Sequence, residues 1–475
     1  MKKVTWIWTI VLVLMASVLV GAESREYDIV IVGGGGAGLS AAVEASSAGA
    51  SVVVLEKMPY LGGSSLLCGG GLAFAGTDMQ AEEGVEDSNE DLFNELMEVG
   101  GYQNDPALVQ AYIAHQLDTY YWLKDLGVIY NFLETGGGMK IRRMHRVKPA
   151  QLIDTLAKAA KANGATILTN VAGKRLVRDS ATNRVTAVIA EEDGKEVVFT
   201  ARKGVILATG GFSLNPELLG KFVPAMANAK ATVGPGSHGD GLLMGWALGA
   251  DLKDMPYIKA TYGQYPEGNN PNAREMVYYA GAIIVNKAGE RFVDESINYK
   301  AIGDVALLQD DGVTYQIYDE KIRQYAHETR TRMGILEGEG MVCEADTLEE
   351  LAAKVGISPS GLVATVEEYN KSIKQNGYDT KFNRTGLAAG VGDLLTIDEP
   401  PYYAFPSTGV ILGTYCGLAI NDKAQVIDVF GEPIDGLYAA GEVTGGFHGS
   451  GYMSGTALGK AVIFGRIAAK ELTKN

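Results

Sequence analysis

Apolar runs that end in glycine alternate with amphipathic stretches along the chain. Residues 27–32 form a run rich in β-branched side chains, which is typical of a strand covered on both faces. The small-residue stretch 37–50 predicts a helix, and residues 51–55 predict a second strand. Further helices are predicted at 149–163 and 455–472. This succession of buried strands and helices predicts an α/β fold built on a parallel sheet.

A glycine pattern follows the first predicted strand directly. The sequence reads Gly33-x-Gly35-x-x-Gly38, and Glu56 ends the second strand about twenty residues later. Between a strand and a helix, such glycines permit a tight turn, the approach of a pyrophosphate and the packing of helix on strand. The acidic residue then holds a ribose hydroxyl, and the phosphates lie at the helix N-terminus. We therefore predict a dinucleotide site, with a glycine-rich hairpin as the alternative.

The chain of 475 residues is longer than one ordinary core requires, and its character changes near residue 256. Tyrosines are dense between 257 and 279, and two helices are predicted at 348–355 and 359–376. Glycine-rich strands return after this region. We expect a first domain over 27–256 and 409–475, interrupted by an α+β capping domain over 257–408.

The first 22 residues have the pattern of a targeting segment. A start with two lysines precedes the apolar run 4–20, and small residues lead up to Ala22. This pattern predicts a secretory signal cut after Ala22, and hence a protein exported to the periplasm or beyond the cell. An uncleaved membrane anchor is the alternative.

Charge and ligand-type residues exclude several classes of function. The formal net charge of −16 argues against nucleic acid or an anionic membrane surface as partner. Three scattered cysteines and five histidines show no metal-ligand spacing, so we predict no metal. The sequence has no C-x-x-C-H motif for covalent haem. We interpret the basic stretch 140–148 as a solvated surface.

Five ordered motifs carry a resemblance to a known family. They lie at 33–38, 62–65, 208–211, 239–241 and 436–442. Together they resemble the FAD-binding flavoproteins of the fumarate reductase/succinate dehydrogenase family, from residue 27 to about residue 471. The resemblance implies a Rossmann-like FAD-binding domain, an inserted capping domain and FAD as the cofactor. Covalent attachment needs a suitably placed histidine and none adjoins residues 62–65, so we expect noncovalent binding.

The same resemblance implies which residues contact FAD. The glycines of the first motif hold the pyrophosphate, Glu56 the adenosine ribose, and Val171 the adenine. A helix starting near Thr456 directs its N–H groups at the flavin, where they stabilise negative charge on the reduced ring. The complete implied set is Gly33, Gly35, Ala37, Gly38, Glu56, Lys57, Gly63, Ser64, Ser65, Gly70, Val171, Ala208, Thr209, Gly210, Asp240, Glu442, Thr456, Ala457 and Leu458.

The substrate side departs from the fumarate reductases. Aligned on the motif at 289–295, their proton-donating arginine corresponds to Tyr299. Their second carboxylate-binding arginine corresponds to Tyr452, and a histidine of theirs falls near Gly413. A buried dicarboxylate without these cations is costly, so we do not expect fumarate as the substrate.

Tyrosines at these places resemble instead the 3-ketosteroid dehydrogenase and enone reductase branch. That resemblance implies reduction of a C=C bond conjugated to a carbonyl, with Tyr299 as proton donor. A phenol with a pKa of ~10 is a competent donor to a developing enolate. Tyr452 and Ser454 are expected to hydrogen-bond the carbonyl oxygen. We expect a hydrophobic unsaturated carbonyl compound as the substrate and a separate electron-donor protein.

Two alternatives remain. A reductase of a carboxylate, such as urocanate, an acrylate or fumarate, would use Arg274 or Arg291 as its anchor, although Arg291 fits a structural role in the cap better. A flavin-binding electron carrier without a small substrate is the alternative of another class. The capping insertion disfavours this last possibility, because a cap serves to enclose something.

Overall fold

The computed structural model describes residues 23–227, 229–258, 260–268, 270, 272–330, 332–388 and 392–474. The predicted signal segment, 1–22, lies outside the described residues. The chain divides into two compact units. The first contains the described residues up to Asn215, then Gly234–Met255, then those from Tyr415 onward, and the second contains Pro216–Val233 and Pro256–Thr414. The predicted insertion, 257–408, falls inside the second unit.

The strands, numbered along the chain, are β1 (Glu23–Val32), β2 (Val52–Glu56), β3 (Gly71–Ala73), β4 (Phe132–Glu134), β5 (Met144–Arg146), β6 (Thr166–Thr169), β7 (Val171–Arg178), β8 (Val185–Glu192), β9 (Lys195–Leu207), β10 (Leu252–Lys253), β11 (Ala260–Gln264), β12 (Ile283–Val285), β13 (Val313–Asp319), β14 (Cys343–Ala345), β15 (Tyr402–Ile411), β16 (Gly417–Leu418), β17 (Gln425–Ile427) and β18 (Pro433–Ala439).

The α-helices are α1 (Gly36–Ser47), α2 (Gly63–Leu67), α3 (Asp78–Glu82), α4 (Asn89–Val99), α5 (Pro106–Asp125), α6 (Pro149–Ala162), α7 (Pro216–Phe222), α8 (Asp240–Trp246), α9 (Tyr299–Ala306), α10 (Glu320–Thr329), α11 (Met333–Gly338), α12 (Leu348–Val355), α13 (Pro359–Asn376) and α14 (Thr456–Thr473).

The first unit is built on a sheet with the order β17-β18-β9-β1-β2-β6. Its central strands run parallel, with Val30 opposite Val53 of β2 and Val205 of β9. The four residues at the end of β1 are almost completely buried, which explains why they are all β-branched. This central position of β1 places the predicted dinucleotide turn at the middle of the sheet edge.

Strand β9 is the longest strand that the structure describes, at 13 residues. It continues without a break because β1 begins at Glu23 and pairs with β9 from Val197 through Leu207. The first half of β9 also pairs with β8 as an antiparallel hairpin.

The second unit has a five-stranded antiparallel sheet, ordered β11-β15-β13-β12 with β14 beside β15. Ile284, Ile317 and Phe405 are fully buried in its core. Helices α12 and α13 have the predicted limits because their ends are capped locally. Ser358 accepts a hydrogen bond from the Gly361 N–H at the start of α13, and left-handed glycines end both helices.

Two stretches of the first unit were not anticipated from the sequence. After residue 62 the structure has helix α2 and strand β3, and β3 joins a small sheet with β5 and β4. The basic stretch 140–148 is only partly a surface, since Arg143 and His145 are completely buried. Arg143 pairs there with Asp87 and Glu95 at 2.7 and 2.8 Å. Among the described residues, no helix combines the length and apolar character needed to cross a membrane.

Candidate active site

In the turn between β1 and α1, Gly33, Gly35 and Gly38 differ in what a side chain at each position would meet. Gly33 has a φ of 111°, and a Cβ there would lie 2.2 Å from the Ala208 carbonyl oxygen. A Cβ on Gly38 would lie 2.0 Å from the Gly33 oxygen. Gly35 has an ordinary φ of −81°, and its nearest neighbour would be the Gly62 oxygen at 3.7 Å. Protein packing therefore requires Gly33 and Gly38 but leaves Gly35 free for close approach of a ligand.

Helix α1 begins at this turn in a way that favours an anion. Its N-cap is Gly35, which has no side chain to accept hydrogen bonds from the first turn. Ser65 Oγ accepts one from the Gly36 N–H at 3.1 Å. The N–H groups of the next residues, including Ala37 and Gly38, point out of the helix start, where a phosphate binds favourably.

Glu56 ends β2 beside the same turn. Its Oε2 accepts a hydrogen bond from the Gly34 N–H and its Oε1 one from the Met58 N–H, both at 2.8 Å. Each carboxylate oxygen keeps a second lone pair, so the group can still accept a bond from a ribose hydroxyl. The next residue, Lys57, forms an ion pair of 2.6 Å with Asp240. Lys57 and Asp240, both predicted to contact FAD, thus contact each other.

The predicted residues after β9 return to the β1 turn. The Ala208 N–H donates to the Val32 oxygen at 2.8 Å, and Thr209 Oγ1 accepts from the Gly241 N–H at the start of α8. Ser64 Oγ accepts from the Gly234 N–H at 3.0 Å. These bonds hold the loops together at the carboxyl ends of the parallel strands, where ligands bind in such sheets.

Three further glycines of the predicted set, Gly63, Gly70 and Gly210, have left-handed backbones with φ of 47°, 73° and 77°. Val171, the predicted adenine contact, is buried at the start of β7. Its neighbour Asn170 donates to the Met58 oxygen at 3.2 Å, close to Glu56 in the chain.

The last part of the chain completes this edge. Thr456, Ala457 and Leu458 form the first turn of α14, whose N-cap is the left-handed Gly455. A Cβ on Gly36 would lie 3.5 Å from Leu458, so α14 begins beside the start of α1. Glu442 lies in the short 3₁₀ turn Gly441–Val443. The start of a helix carries positive potential, and α14 has its start at this edge.

The segment that carries Tyr452 is fixed by its backbone. Ser450 N–H donates to the Gly100 oxygen at 3.0 Å, and Ser454 N–H donates to the Gly137 oxygen at 2.8 Å. A Cβ on Gly451 would lie 1.8 Å from the Val99 oxygen, so the main chain at Gly451 packs directly against the main chain at Val99. Tyr452 and Ser454 therefore stand on a rigid support in the first unit.

The structure adds an aromatic residue that sequence reasoning missed. Tyr415 packs its ring against Tyr452, with centroids 4.6 Å apart, and against His448 at 5.3 Å. His448 Nε2 lies 3.1 Å from Thr456 Oγ1, at the start of α14. The only available signal was an aromatic side chain inside the glycine-rich stretch that begins at Gly409.

Tyr299 lies in the second unit, as the first residue of α9. Asn298 caps this helix by accepting a hydrogen bond from the Lys300 N–H at 2.8 Å. Lys300 is buried, with its Nζ 5.7 Å from the centre of the Tyr299 ring and 2.7 Å from Thr261 Oγ1. Lys300 was not among the predicted site residues, and it brings its amino group beside the predicted proton donor.

Arg291 belongs to a buried ion cluster of the second unit. Its guanidinium contacts Glu295 at 2.6 Å and Asp379 at 2.8 Å, and Arg384 contacts Glu295 at 2.9 Å. The Arg291 side chain is only 2% exposed, and its guanidinium lies 4.9 Å from the ring centres of both Tyr369 and Phe382. Its charge is therefore used inside the protein, in the structural role that the sequence favoured.

Comparison with known proteins agrees with this geometry. A family model described as FAD binding domain matches residues 28–458. The probable fumarate reductase Ifc3 of Shewanella frigidimarina (strain NCIMB 400) is 33% identical over 459 residues, covering 95% of this chain and 76% of the relative. The vinyl phenol reductase of Lactiplantibacillus plantarum is 30% identical, covering 94% and 96%.

A solved structure of 3-ketosteroid-Δ4-(5α)-dehydrogenase from Rhodococcus jostii RHA1 has a TM-score of 0.81 and 28% identity, covering 97% of this chain and 99% of that chain. The open space at Gly35 and the uncapped start of α1 fit a pyrophosphate, so the residues present suit FAD. The predictions of fold, family and cofactor are confirmed. The chain belongs to the FAD-binding flavoprotein family that includes the fumarate reductases, and it is an FAD-dependent oxidoreductase acting on carbon–carbon double bonds.

Proposed function

We propose that this flavoenzyme reduces a neutral alkene conjugated to a carbonyl group, with Tyr299 as the proton donor. The observation that carries the proposal is the burial of Arg291 in ion pairs within the protein. Its guanidinium is buried against Glu295 and Asp379, so it offers no charge to a substrate carboxylate. Tyr299 and Tyr452, which by the resemblance correspond to arginines of the fumarate reductases, bring phenol groups in place of guanidinium groups. A neutral substrate avoids the cost of an unpaired buried anion.

When bound, FAD supplies the hydride that adds to the β-carbon of such an alkene. The chain must then deliver a proton to the α-carbon, and the Tyr299 hydroxyl has the chemistry to do so. The ammonium group of Lys300, 5.7 Å from the Tyr299 ring centre, stabilises the negative charge that proton donation leaves on the phenol oxygen. Lys300 is held for this purpose by its hydrogen bond to Thr261.

Tyr452 and Ser454 hold the carbonyl oxygen of the substrate in this proposal. Their hydroxyls are donors, and negative charge develops on that oxygen as the double bond is reduced. The backbone bonds from Ser450 and Ser454 to the neighbouring segments keep the donors in place before the substrate arrives. Such preorganised donors cost no reorganisation at the moment of reaction.

A carboxylate reductase is the second candidate, and the similarity to a probable fumarate reductase favours it. Arg274 would then be the anchor. It is partly buried beside β11, where its backbone bridges to Gln264.

We also infer that a separate protein supplies the electrons and that the enzyme is exported. The net charge of −16 suits a basic redox partner. The lysine-containing start and the apolar run 4–20 support export.

The test begins with the purified holoenzyme, reduced by dithionite without oxygen. Enones including a steroid enone, then cinnamate, urocanate, an acrylate and fumarate are added separately, and recovery of oxidised-flavin absorbance is followed. We expect the neutral enones to reoxidise the flavin fastest. Preference for the carboxylates supports the second candidate, and no reoxidation by any compound supports an electron carrier.

The role of Tyr299 is tested by Tyr299→Phe, with Tyr378→Phe as a matched control on an exposed tyrosine of the same unit. Tyr299→Phe should retain FAD and lose about 100-fold or more in turnover, the usual contribution of a general acid. The control should lose none. Equal turnover in the two variants excludes Tyr299 as the proton donor.

A further inference from the structure

Lys460 is a buried lysine of the first unit that has no part in the proposed reaction. It lies on α14, one turn after Thr456, and it is only 2% exposed. Its Nζ donates a hydrogen bond of 2.9 Å to the carbonyl oxygen of Thr444, a residue that is completely buried. Lysine is almost never buried to this extent unless its charge is paired. The groups around this amino group therefore have to compensate a positive charge.

Three side chains from separate parts of the first unit face the Lys460 amino group. Asp254 directly follows β10, Cys416 directly precedes β16, and Glu442 comes from its 3₁₀ turn. Both carboxylates favour the charged form of Lys460. Asp254 Oδ2 also accepts a hydrogen bond of 2.8 Å from the Gly446 N–H. Lys460 and Asp254 thus hold the main chain just after the turn that carries Glu442.

This turn lies at the edge of the sheet where FAD is expected to bind. A Cβ on Gly441, its first residue, would lie 3.0 Å from the Cβ of Ala37 in the first turn of α1. It would lie 3.7 Å from Ala461, the residue after Lys460 on α14. The turn is therefore packed between the two helices whose starts form this edge, and Glu442 is half-buried there.

We infer that Lys460 is a positioning residue for FAD, whose ammonium group holds the Thr444 oxygen and compensates the charge of Glu442, so that this carboxylate can face the cofactor. Glu442 is taken as a contact of FAD, as the resemblance implies. Without the cation, Asp254 and Glu442 would be two carboxylates in a poorly hydrated place, where each disfavours the charged form of the other. This role is independent of the substrate and of Tyr299.

The experiment is a double-mutant cycle on FAD binding. The Kd of FAD for the apoprotein is measured by flavin fluorescence in the wild type, in Lys460→Met, in Glu442→Ala and in the double variant. Methionine has nearly the length of lysine without its charge, and urea unfolding checks that each variant is folded. Lys470→Met is the matched control, because Lys470 lies on the same helix in a partly exposed ion pair with Asp118.

We expect Lys460→Met to raise the Kd of FAD about 10-fold or more, the worth of a hydrogen bond to a charged group. In the Glu442→Ala background the same change should raise it less than about 2-fold, since both residues act through one contact. Lys470→Met should leave it unchanged. Equal increases in both backgrounds would show that Lys460 only packs. Unchanged affinity in Glu442→Ala would show that Glu442 does not contact FAD. Either result overturns the inference.

A second measurement needs only the wild-type apoprotein. Burial lowers the pKa of Lys460 to about 8, so its positive charge is lost as the pH rises from 7 to 9. The Kd of FAD should rise about 3- to 10-fold over this range and stay level in Lys460→Met. Any dependence that came from Asp254, Glu442 or Cys416 would persist in that variant. A wild-type Kd that does not change with pH overturns the inference, whether or not the variants fold.

Discussion

Gly35 gives the sharpest test of the cofactor site, because Gly35→Ala separates ligand binding from folding. Its backbone is in an ordinary region, and the added methyl group would meet no protein atom closer than 3.7 Å. The apoprotein should therefore fold normally. The methyl group occupies the space through which the backbone approaches the FAD pyrophosphate. FAD affinity should fall while stability of the apoprotein does not.

The expected changes in apoprotein stability and in FAD affinity can be estimated separately. Replacing glycine by alanine reduces the entropy of the unfolded chain, worth about 0.4–1 kcal/mol in favour of the variant. Loss of glycine as N-cap costs about the same, so the net change in the free energy of unfolding is close to zero. A hydrogen bond to a charged phosphate contributes about 1.5–3 kcal/mol. Loss of one such bond weakens FAD binding about 10- to 150-fold.

The matched control is Gly33→Ala on the same turn. Its φ of 111° and the 2.2 Å approach to the Ala208 oxygen make alanine costly in the folded protein itself. We expect the strained backbone alone to lower the free energy of unfolding by about 1–3 kcal/mol. Urea unfolding of the apoprotein and titration with FAD, followed by flavin fluorescence, measure the two effects. Unchanged FAD affinity in a folded Gly35→Ala protein would falsify the placement of the pyrophosphate at this turn.

Three further predictions concern buried charges. Glu295→Gln leaves two buried arginines with too few anions and should cost about 3–5 kcal/mol by urea unfolding, whereas Glu98→Gln, which breaks an exposed pair, should cost less than about 1 kcal/mol. Burial lowers the pKa of Lys460 from 10.5 to about 8. Between these values only the unfolded chain holds the proton, so stability should rise by about 1.4 kcal/mol per pH unit as pH increases, and Lys460→Met should abolish this rise. Burial likewise lowers the pKa of His145 from 6.5 to about 4. Stability should fall by a similar amount per unit as pH drops through that window, and melting curves of His145→Gln should show a smaller fall.

The cofactor edge of the fold could be predicted from sequence because its determinants are local. The β-branched end of β1, the glycine turn and the small residues of α1 are consecutive in the chain, and each fixes its neighbour's conformation. Helices α12 and α13 were predicted with correct limits for the same reason, since their caps lie within one turn of each end. The short strands β3, β4 and β5 could not be predicted. Each has three residues, too few for a period, and β3 pairs with β5 across some seventy residues of chain.

The substrate side was harder to predict because the function of a charged or aromatic side chain depends on partners distant in sequence. The sequence left open that Arg291 anchors a substrate carboxylate, and its ion pair with Asp379, 88 residues away, decides for the structural role. Tyr452 reads as an isolated hydroxyl until Tyr415 is found behind its ring. In both cases the residue type was visible, but the charge or orientation available to a substrate was decided by the tertiary contact. Substrate preference in this family therefore has to be argued from which cations the protein has already neutralised, and a count of arginines near the motifs does not provide that.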